Sequence, residues 1–208
     1  FVPHIARLAD SVMQPPGDAL GPNAIFQFRF DENTGRLTPN SPLKVEPEEF
    51  LGPRHFCFHP NLDAVYFTDE QGCSVTGYHL DSSNGTLSAF QTITTLPEGF
   101  SGRNTCSQIQ ISPSGRFLYA PNRGHNSVAG FSVDASSGRL TSIGRVSTEA
   151  VPSAFSLAPE GDFLFAAGSE SGSLASYGVN PESGELTPLE TYPVGKRPMG
   201  VLIVNTDG

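Results

Sequence analysis

Short apolar stretches recur along the chain in a fixed order of hydrophobic and polar positions. Phe28-Arg29-Phe30-Asp31, Tyr78-His79-Leu80-Asp81, Phe131-Ser132-Val133-Asp134 and Tyr177-Gly178-Val179-Asn180 each place apolar side chains two apart and end on an acid or an amide. Each is followed by a polar-Gly pair (Thr34-Gly35, Asn84-Gly85, Ser137-Gly138, Ser183-Gly184) and then by Leu37, Leu87, Leu140 or Leu186. Period-two alternation marks a strand with two different faces, and the polar-Gly pair is turn chemistry. The turn glycines lie 50, 53 and 46 residues apart. A repeat of roughly 50 residues built from several short strands predicts the blades of a β-propeller, not a helical solenoid.

A second phrase runs in phase with the first. His59-Pro60-Asn61-Leu62-Asp63-Ala64-Val65-Tyr66-Phe67 returns as Ser112–Ala120 and as Ala158–Ala166, each a strand closed by a Pro-initiated turn and reopened as a hydrophobic strand. Together the phrases predict an all-β fold with four-stranded antiparallel blades. In the clearest copy the strands fall at about 54–59, 64–68, 74–80 and 87–93. Blade pieces are expected at 1–45, 52–95, 104–148 and 152–194, with a closing strand at 197–205 whose core is Met199–Val204. The chain starts in mid-blade: Phe1–His4 reads as a second strand, Ala24–Phe30 as a third and Arg36–Thr38 as a fourth, with a long connection over 6–22. Propellers have ~4–8 blades, so four could close alone. The missing initiator Met and the mid-blade start favour a piece of a longer propeller, whose exposed sheet faces would invite self-association.

Composition narrows the function. The net charge is −9 and only two residues are Lys, which argues against nucleic-acid and anionic-membrane partners. There is no run of ~18 apolar residues to span a bilayer. Cys57, Cys73 and Cys106 lack metal-ligand spacing and favour a reducing, cytoplasmic compartment. Asn84-Gly85-Thr86 is formally a glycosylation sequon, but it occupies the repeat turn.

Propeller function resides where the innermost strands converge on the central channel. Those strands open Gly52-Pro53-Arg54-His55, Asn104-Thr105-Cys106-Ser107-Gln108-Ile109-Gln110, Val151-Pro152-Ser153 and Lys196-Arg197-Pro198-Met199. A sheet interior would not take Arg, His and amides without partners. The loops after the second strands also diverge, and Asn122-Arg123-Gly124-His125 sets a guanidinium fork beside an imidazole. From spacing alone, a solvated turn with Arg123 paired to a neighbouring acid is the simpler reading.

Leu96–Thr105, Ile111–Tyr119, Asn122–Ser127, Gly52-Pro53-Arg54-His55 and Gly195–Met199 together resemble the seven-bladed lactonase family. That family includes cycloisomerase-type 6-phosphogluconolactonases and 3-carboxy-cis,cis-muconate lactonizing enzymes. The resemblance covers essentially the whole chain and implies a parent of about seven blades, of which this is the C-terminal part. It implies Arg54, Glu70 and Arg123 as catalytic residues, joined in the family by an upstream His with no match here. Many relatives carry Glu and His where Gln108 and Gln110 stand, and an amide cannot take a proton. His55, Asn104, Gln108, Gln110, Asn122 and His125 are the expected substrate-binding residues.

The residue types suit an anionic lactone. Two arginines would hold anionic groups and stabilise charge developing on a carbonyl or enolate oxygen, while Glu70 would activate water or move a proton. His55 and His125 are second candidates for that proton, although orienting the arginines or the turn is the plainer role for each. No cofactor or metal is implied. Three functions follow: a lactone hydrolase acting on 6-phosphogluconolactone, a muconate cycloisomerase, and a non-catalytic propeller that binds a ligand or a protein.

Overall fold

The computed structural model describes residues 1–5, 22–48 and 50–206, and these fold as four antiparallel sheets. The connection anticipated over 6–22 lies, but for Pro22, outside them. The first sheet has three strands, β1 (Val2–His4), β2 (Ala24–Asp31) and β3 (Arg36–Val45). The second comprises β4 (Pro53–Phe58), β5 (Ala64–Asp69), β6 (Ser74–Asp81) and β7 (Thr86–Thr94). The third comprises β8 (Gln110–Ile111), β9 (Phe117–Asn122), β10 (Ser127–Val133) and β11 (Leu140–Ser147). The fourth comprises β12 (Pro152–Leu157), β13 (Phe163–Gly168), β14 (Ser173–Val179) and β15 (Leu186–Pro193). In each whole sheet the strands lie side by side in chain order, the up-and-down arrangement of a propeller blade. No helix appears among the described residues, so none is long and apolar enough to cross a membrane.

Sheets stack face to face because their middle strands are apolar on both sides. All six residues of β5 and all six of β9 are buried. Along β5 the pleat sends Val65 and Phe67 into a cluster with Ile25, Tyr78 and Leu87, while Ala64 and Tyr66 join Leu118, Ala120, Ala129 and Phe131 on the other side. Along β9, Phe117 and Tyr119 turn instead towards Phe155, Leu164, Ala166 and Tyr177 of the fourth sheet. Three cores therefore alternate with the four sheets.

The seams between sheets also carry one repeated polar bond. The carbonyl of the turn glycine in the second, third and fourth sheets accepts a hydrogen bond from the preceding sheet: Gly85 from Asn40 Nδ2 at 2.9 Å, Gly138 from Tyr66 Oη at 2.7 Å, and Gly184 from Tyr119 Oη at 2.7 Å. The Leu that follows the turn is held in the same way. The Leu87 N–H donates to Gln27 Oε1 at 2.8 Å and the Leu140 N–H to Gln91 Oε1 at 2.7 Å. Gly138 sits at φ +70°, and a Cβ there would meet the Tyr66 hydroxyl at 3.0 Å. The Gly-x-Leu phrase that recurs in the sequence is thus the part of each blade that its neighbour grips.

Three expectations are corrected. β3 continues past Thr38 to Val45, through Pro39 and Pro42, because an edge strand tolerates residues that cannot donate to a ladder. The inner strand of the third sheet shrinks to Gln110–Ile111 plus a lone bridge from Cys106 to Asn122. Its polar groups turn to the neighbouring sheets instead: the Ser107 carbonyl accepts from Thr68 Oγ1 at 2.9 Å, and the Ser107 hydroxyl donates to the Pro152 carbonyl at 3.2 Å. Met199–Val204 forms no strand, since a first strand exists only through its ladder with a second and no described residue pairs with it.

Two tyrosines provide a test. Tyr66 and Tyr78 are both fully buried, but the Tyr78 hydroxyl has no hydrogen-bond partner among the described residues. Tyr66→Phe should cost about 1–3 kcal/mol by orphaning the Gly138 carbonyl, whereas Tyr78→Phe should be neutral or stabilising. Urea midpoints of the two variants check this, and equal losses would refute the seam bond as a source of stability.

Candidate functional site

Glu70, Arg123 and Ser169 occupy the same place in successive blades, the first residue after the second strand. The same backbone bond fixes each of them: Glu70 N–H to the Gly52 carbonyl at 2.7 Å, Arg123 N–H to Thr105 at 3.0 Å and Ser169 N–H to Val151 at 2.9 Å. Repetition therefore aims three non-identical side chains at one axis. Arg54 and His55 reach it from β4, where the register with β5 shifts between Pro53 and Phe56. Such a bulge re-aims side chains that a regular ladder would bury in the sheet.

Glu70 is the hinge of the cluster. One carboxylate oxygen, Oε2, takes Arg54 Nε at 3.2 Å, and the other, Oε1, is in contact with Arg123 Nη2. The same Nη2 donates to the Cys106 carbonyl at 2.7 Å. The Glu70 side chain is only 3% exposed, against 27% for Arg54. One carboxylate thus answers two guanidinium groups and leaves an excess positive charge. At an effective dielectric of about 20, such a charge attracts an anion roughly 4 Å away by about 4 kcal/mol. Burial pulls the Arg54 guanidinium below its usual range, Glu70 opposes that, and Arg123 adds to it. His55 is also lowered, first by burial and then by Arg54, so its imidazole is held neutral.

In front of these groups opens a cavity of about 750 Å³. Four of the chain's twelve Lys and Arg side chains line it: Arg54, Arg103, Arg123 and Arg197. His55, Asn104, Thr105 and Gln108 contribute to the wall, with Glu170 as its acid. In a chain of net charge −9, a third of the basic side chains are concentrated here.

The expected substrate-binding residues divide. His55, Asn104 and Gln108 border the cavity, whereas Gln110, Asn122 and His125 do not. Gln108 Oε1 accepts from the Phe155 N–H and Gln110 Oε1 from the Leu157 N–H, both at 2.7 Å, so both amides lace the third sheet to the fourth. Asn122 is fully buried, donating to the Thr95 carbonyl and the Ser127 hydroxyl and accepting from Thr95 Oγ1 and Asn104 Nδ2. Asn104 Oδ1 accepts the Gly124 and His125 N–H groups, and His125 Nδ1 meets Ser127 Oγ at 2.8 Å. These three residues shape the loop that carries Arg123. That loop presses so close to the preceding segment that a Cβ on Gly124 would lie 1.8 Å from the Arg103 carbonyl oxygen.

Sequence reasoning gave no role to Arg103, Ser153, Ser169, Arg197 or Met199, all of which border the cavity. Phase would have found most of them. The prolines Pro53, Pro152 and Pro198 align the inner segments and place Arg54, Ser153 and Met199 at equivalent positions.

Three comparisons bear on what this cavity serves. The model of a family described as "Lactonase, 7-bladed beta-propeller" matches residues 14–203. The 6-phosphogluconolactonase of Pectobacterium carotovorum is 35% identical over 174 residues, covering 84% of this chain and 52% of its own length. That of Erwinia tasmaniensis is 35% identical over 189 residues, covering 91% and 56%. Among solved structures, a Lactobacillus plantarum protein superposes with a TM-score of 0.81 at 26% identity, over 86% of this chain and 52% of that one. A periplasmic gluconolactonase, PpgL, of Pseudomonas aeruginosa does so with a TM-score of 0.79 at 31% identity, over 84% and 49%. The chain spans about half the length of the curated relatives it matches.

Beside Glu70, Asp69 ends β5 fully buried. Its Oδ2 accepts from Ser74 and Thr76 hydroxyls, both at 2.7 Å, while Oδ1 has no partner among the described residues. Burial pushes the carboxyl from 3.8 up to about 6, so the folded state binds its proton more tightly than the unfolded state does. This contribution to stability is full below about pH 4 and is lost as the pH rises through 6. Asp69→Asn should therefore gain on the wild type across that window, by on the order of 2 kcal/mol at its upper end. Parallel denaturation curves at each pH measure the gap, and a constant gap would refute the assignment.

Proposed function

The chain belongs to the seven-bladed β-propeller lactonase family, and from that premise we propose that it carries the anion-binding and proton-transfer groups of a lactone hydrolase. The substrate class is an anionic sugar lactone, with 6-phosphogluconolactone as the first candidate. The observation that carries this reading is the Arg54–Glu70–Arg123 cluster at the base of a cavity bordered by four arginines. Relatives named 6-phosphogluconolactonase favour the sugar lactone over a muconate, whose carboxylates would engage the same arginines. The three free thiols fit a reducing, cytoplasmic setting, while one structural neighbour works in a periplasm.

Ring opening needs a water made nucleophilic, a place for the negative charge on the carbonyl oxygen, and a grip on the rest of the substrate. Guanidinium groups supply the last two, because their forked donors match phosphate and carboxyl oxygens and are already oriented before the charge develops. Glu70 holds two of those forks in place. Both of its oxygens face arginines, so the proton falls to His55, which borders the cavity and is kept neutral by burial. His55 takes a proton from water as the oxygen attacks the lactone carbonyl. The tetrahedral oxyanion rests against a guanidinium, the ring C–O bond breaks, and the departing oxygen recovers the proton.

Hydrolysis of 6-phosphogluconolactone, measured above its spontaneous rate, tests the reading. Arg123→Ala should lose roughly 100-fold or more in kcat/KM, the scale for removing a donor from a developing oxyanion. Loss of folding in the variant, read by thermal melting, would point to a structural arginine instead. The imidazole adds a pH signature: kcat/KM should fall only at pH values below the ordinary 6.5 of histidine, and His55→Asn should remove that limb together with most of the rate. A wild-type chain no faster than buffer would sink the hydrolase, and an unchanged acid limb in His55→Asn would take the base role from His55.

A further inference from the structure

Directly behind the arginine cluster lie two cysteines that the proposed hydrolysis does not use. Cys73 is 8% exposed and Cys106 is fully buried, and the two side chains share polar neighbours. Those neighbours bring the two side chains to one place. Thr95 Oγ1 donates to the Cys73 carbonyl at 2.9 Å and lies 3.2 Å from Cys106 Sγ. Asn104 Nδ2 donates to Cys73 Sγ at 3.3 Å and to Asn122 Oδ1 at 3.0 Å, and that same Oδ1 faces Cys106 Sγ at 3.6 Å. We propose that Cys73 and Cys106 form a two-electron redox site, a dithiol that a hydroperoxide converts to an intramolecular disulfide.

The surroundings assign the order of attack. Cys73 retains some exposure, and its thiol donates to the Asn104 carbonyl at 3.3 Å in the reduced chain; the Cys106 thiol, the Asn104 amide and nearby Arg123 favour its thiolate against burial and Glu70. Cys106 is fully enclosed and its thiol is held protonated, which makes it the resolving partner. The Cys73 thiolate takes the terminal oxygen of hydrogen peroxide; the O–O bond breaks, water leaves and a sulfenic acid remains. The Cys106 sulfur then displaces that hydroxyl as a second water, and the S–S bond forms. Two thiols are oxidised and one peroxide is reduced to two waters. Cys57 stands apart from this chemistry, because burial pushes its thiol up to about 12.

Closing the bond reaches the arginines through the backbone. The Cys106 carbonyl accepts Arg123 Nη2 at 2.7 Å and the Cys106 N–H donates to the Glu70 carbonyl at 3.1 Å. Cys73 itself ends the short turn that begins at Glu70. A disulfide draws the two sulfurs well inside their non-bonded contact, to about 2 Å. Glu70 sits on one of the segments being pulled together, and Arg123 is hydrogen-bonded to the other.

Treating the whole chain with equimolar hydrogen peroxide tests the proposal without any substrate. Intact mass should fall by two hydrogens, peptide mapping should link Cys73 to Cys106, and a phosphine reductant should reverse both changes. Cys57→Ser should behave as the wild type, and Cys73→Ser should form no link. Arginine-selective phenylglyoxal should modify Arg123 several-fold faster or slower in the oxidised chain. A mass gain of two oxygens on Cys73, or a link through Cys57, would overturn the dithiol. A formed link with unchanged Arg123 reactivity would overturn its coupling to the arginine cluster.

Discussion

A strand that is apolar on both faces must find a sheet on each side of it, and every other property of this molecule follows from that demand. β5 and β9 bury all their side chains, so neither of their sheets is stable as a single layer. Apolar contact alone would let the sheets slide over one another, since the hydrophobic effect has no direction. Direction comes from the polar bonds at the seams. Asn40, Tyr66 and Tyr119 grip successive turn glycines, and Gln27 and Gln91 grip the leucines that follow two of them. Each bond satisfies a backbone group that stacking would otherwise strand, and in doing so fixes the angle between neighbouring blades.

That fixed angle is what makes a site out of a repeat. Because each blade is rotated by a set amount from the last, equivalent positions converge on one axis. The residues there are released from the apolar rule that governs the rest of the strand. Glu70, Arg123 and Ser169 share a backbone bond and a location but no chemistry. The third sheet diverges furthest. Its inner segment gives up most of its ladder, and its amides and hydroxyls cross to the sheets on either side. The loss of strand there frees the Asn104–Ser107 backbone to hold the Arg123 loop on one side and Cys73 on the other.

How much of this the sequence disclosed depends on whether a feature repeats. The strands, the turn glycines and the blade period were legible because each occurs three or four times at similar spacing. Arg54 and Arg123 stood out against that repeat, Glu70 was reached through the family resemblance, and the structure brings the three into contact. Gln110 and Asn122 are also departures, yet they serve the seams and the Arg123 loop. A polar residue that breaks an apolar pattern signals a partner without saying whether that partner is a ligand or the next blade. The thiol pair was invisible for a different reason. Cys73 and Cys106 stand 33 residues apart on different blades, and only the stacking of those blades gives them common neighbours in Thr95 and Asn104.

The charge arrangement at the axis is best understood as deliberately unbalanced. A buried carboxylate answering a single arginine would close the pair and leave little field outside it. Here Glu70 is shared, and each arginine gives it only part of its fork: Arg54 offers Nε, and Arg123 offers Nη2 while also holding the Cys106 carbonyl. Arg54 in particular stays partly open to the cavity. The acid lowers the cost of keeping two guanidinium groups side by side without neutralising both. On the proposed function, that remaining charge is what an entering anionic substrate would meet. The same sharing makes the cluster sensitive to small displacements. Moving the segment that carries Cys106 changes an Arg123 hydrogen bond and the backbone support of Glu70 together, so geometry and charge at the axis cannot be altered independently.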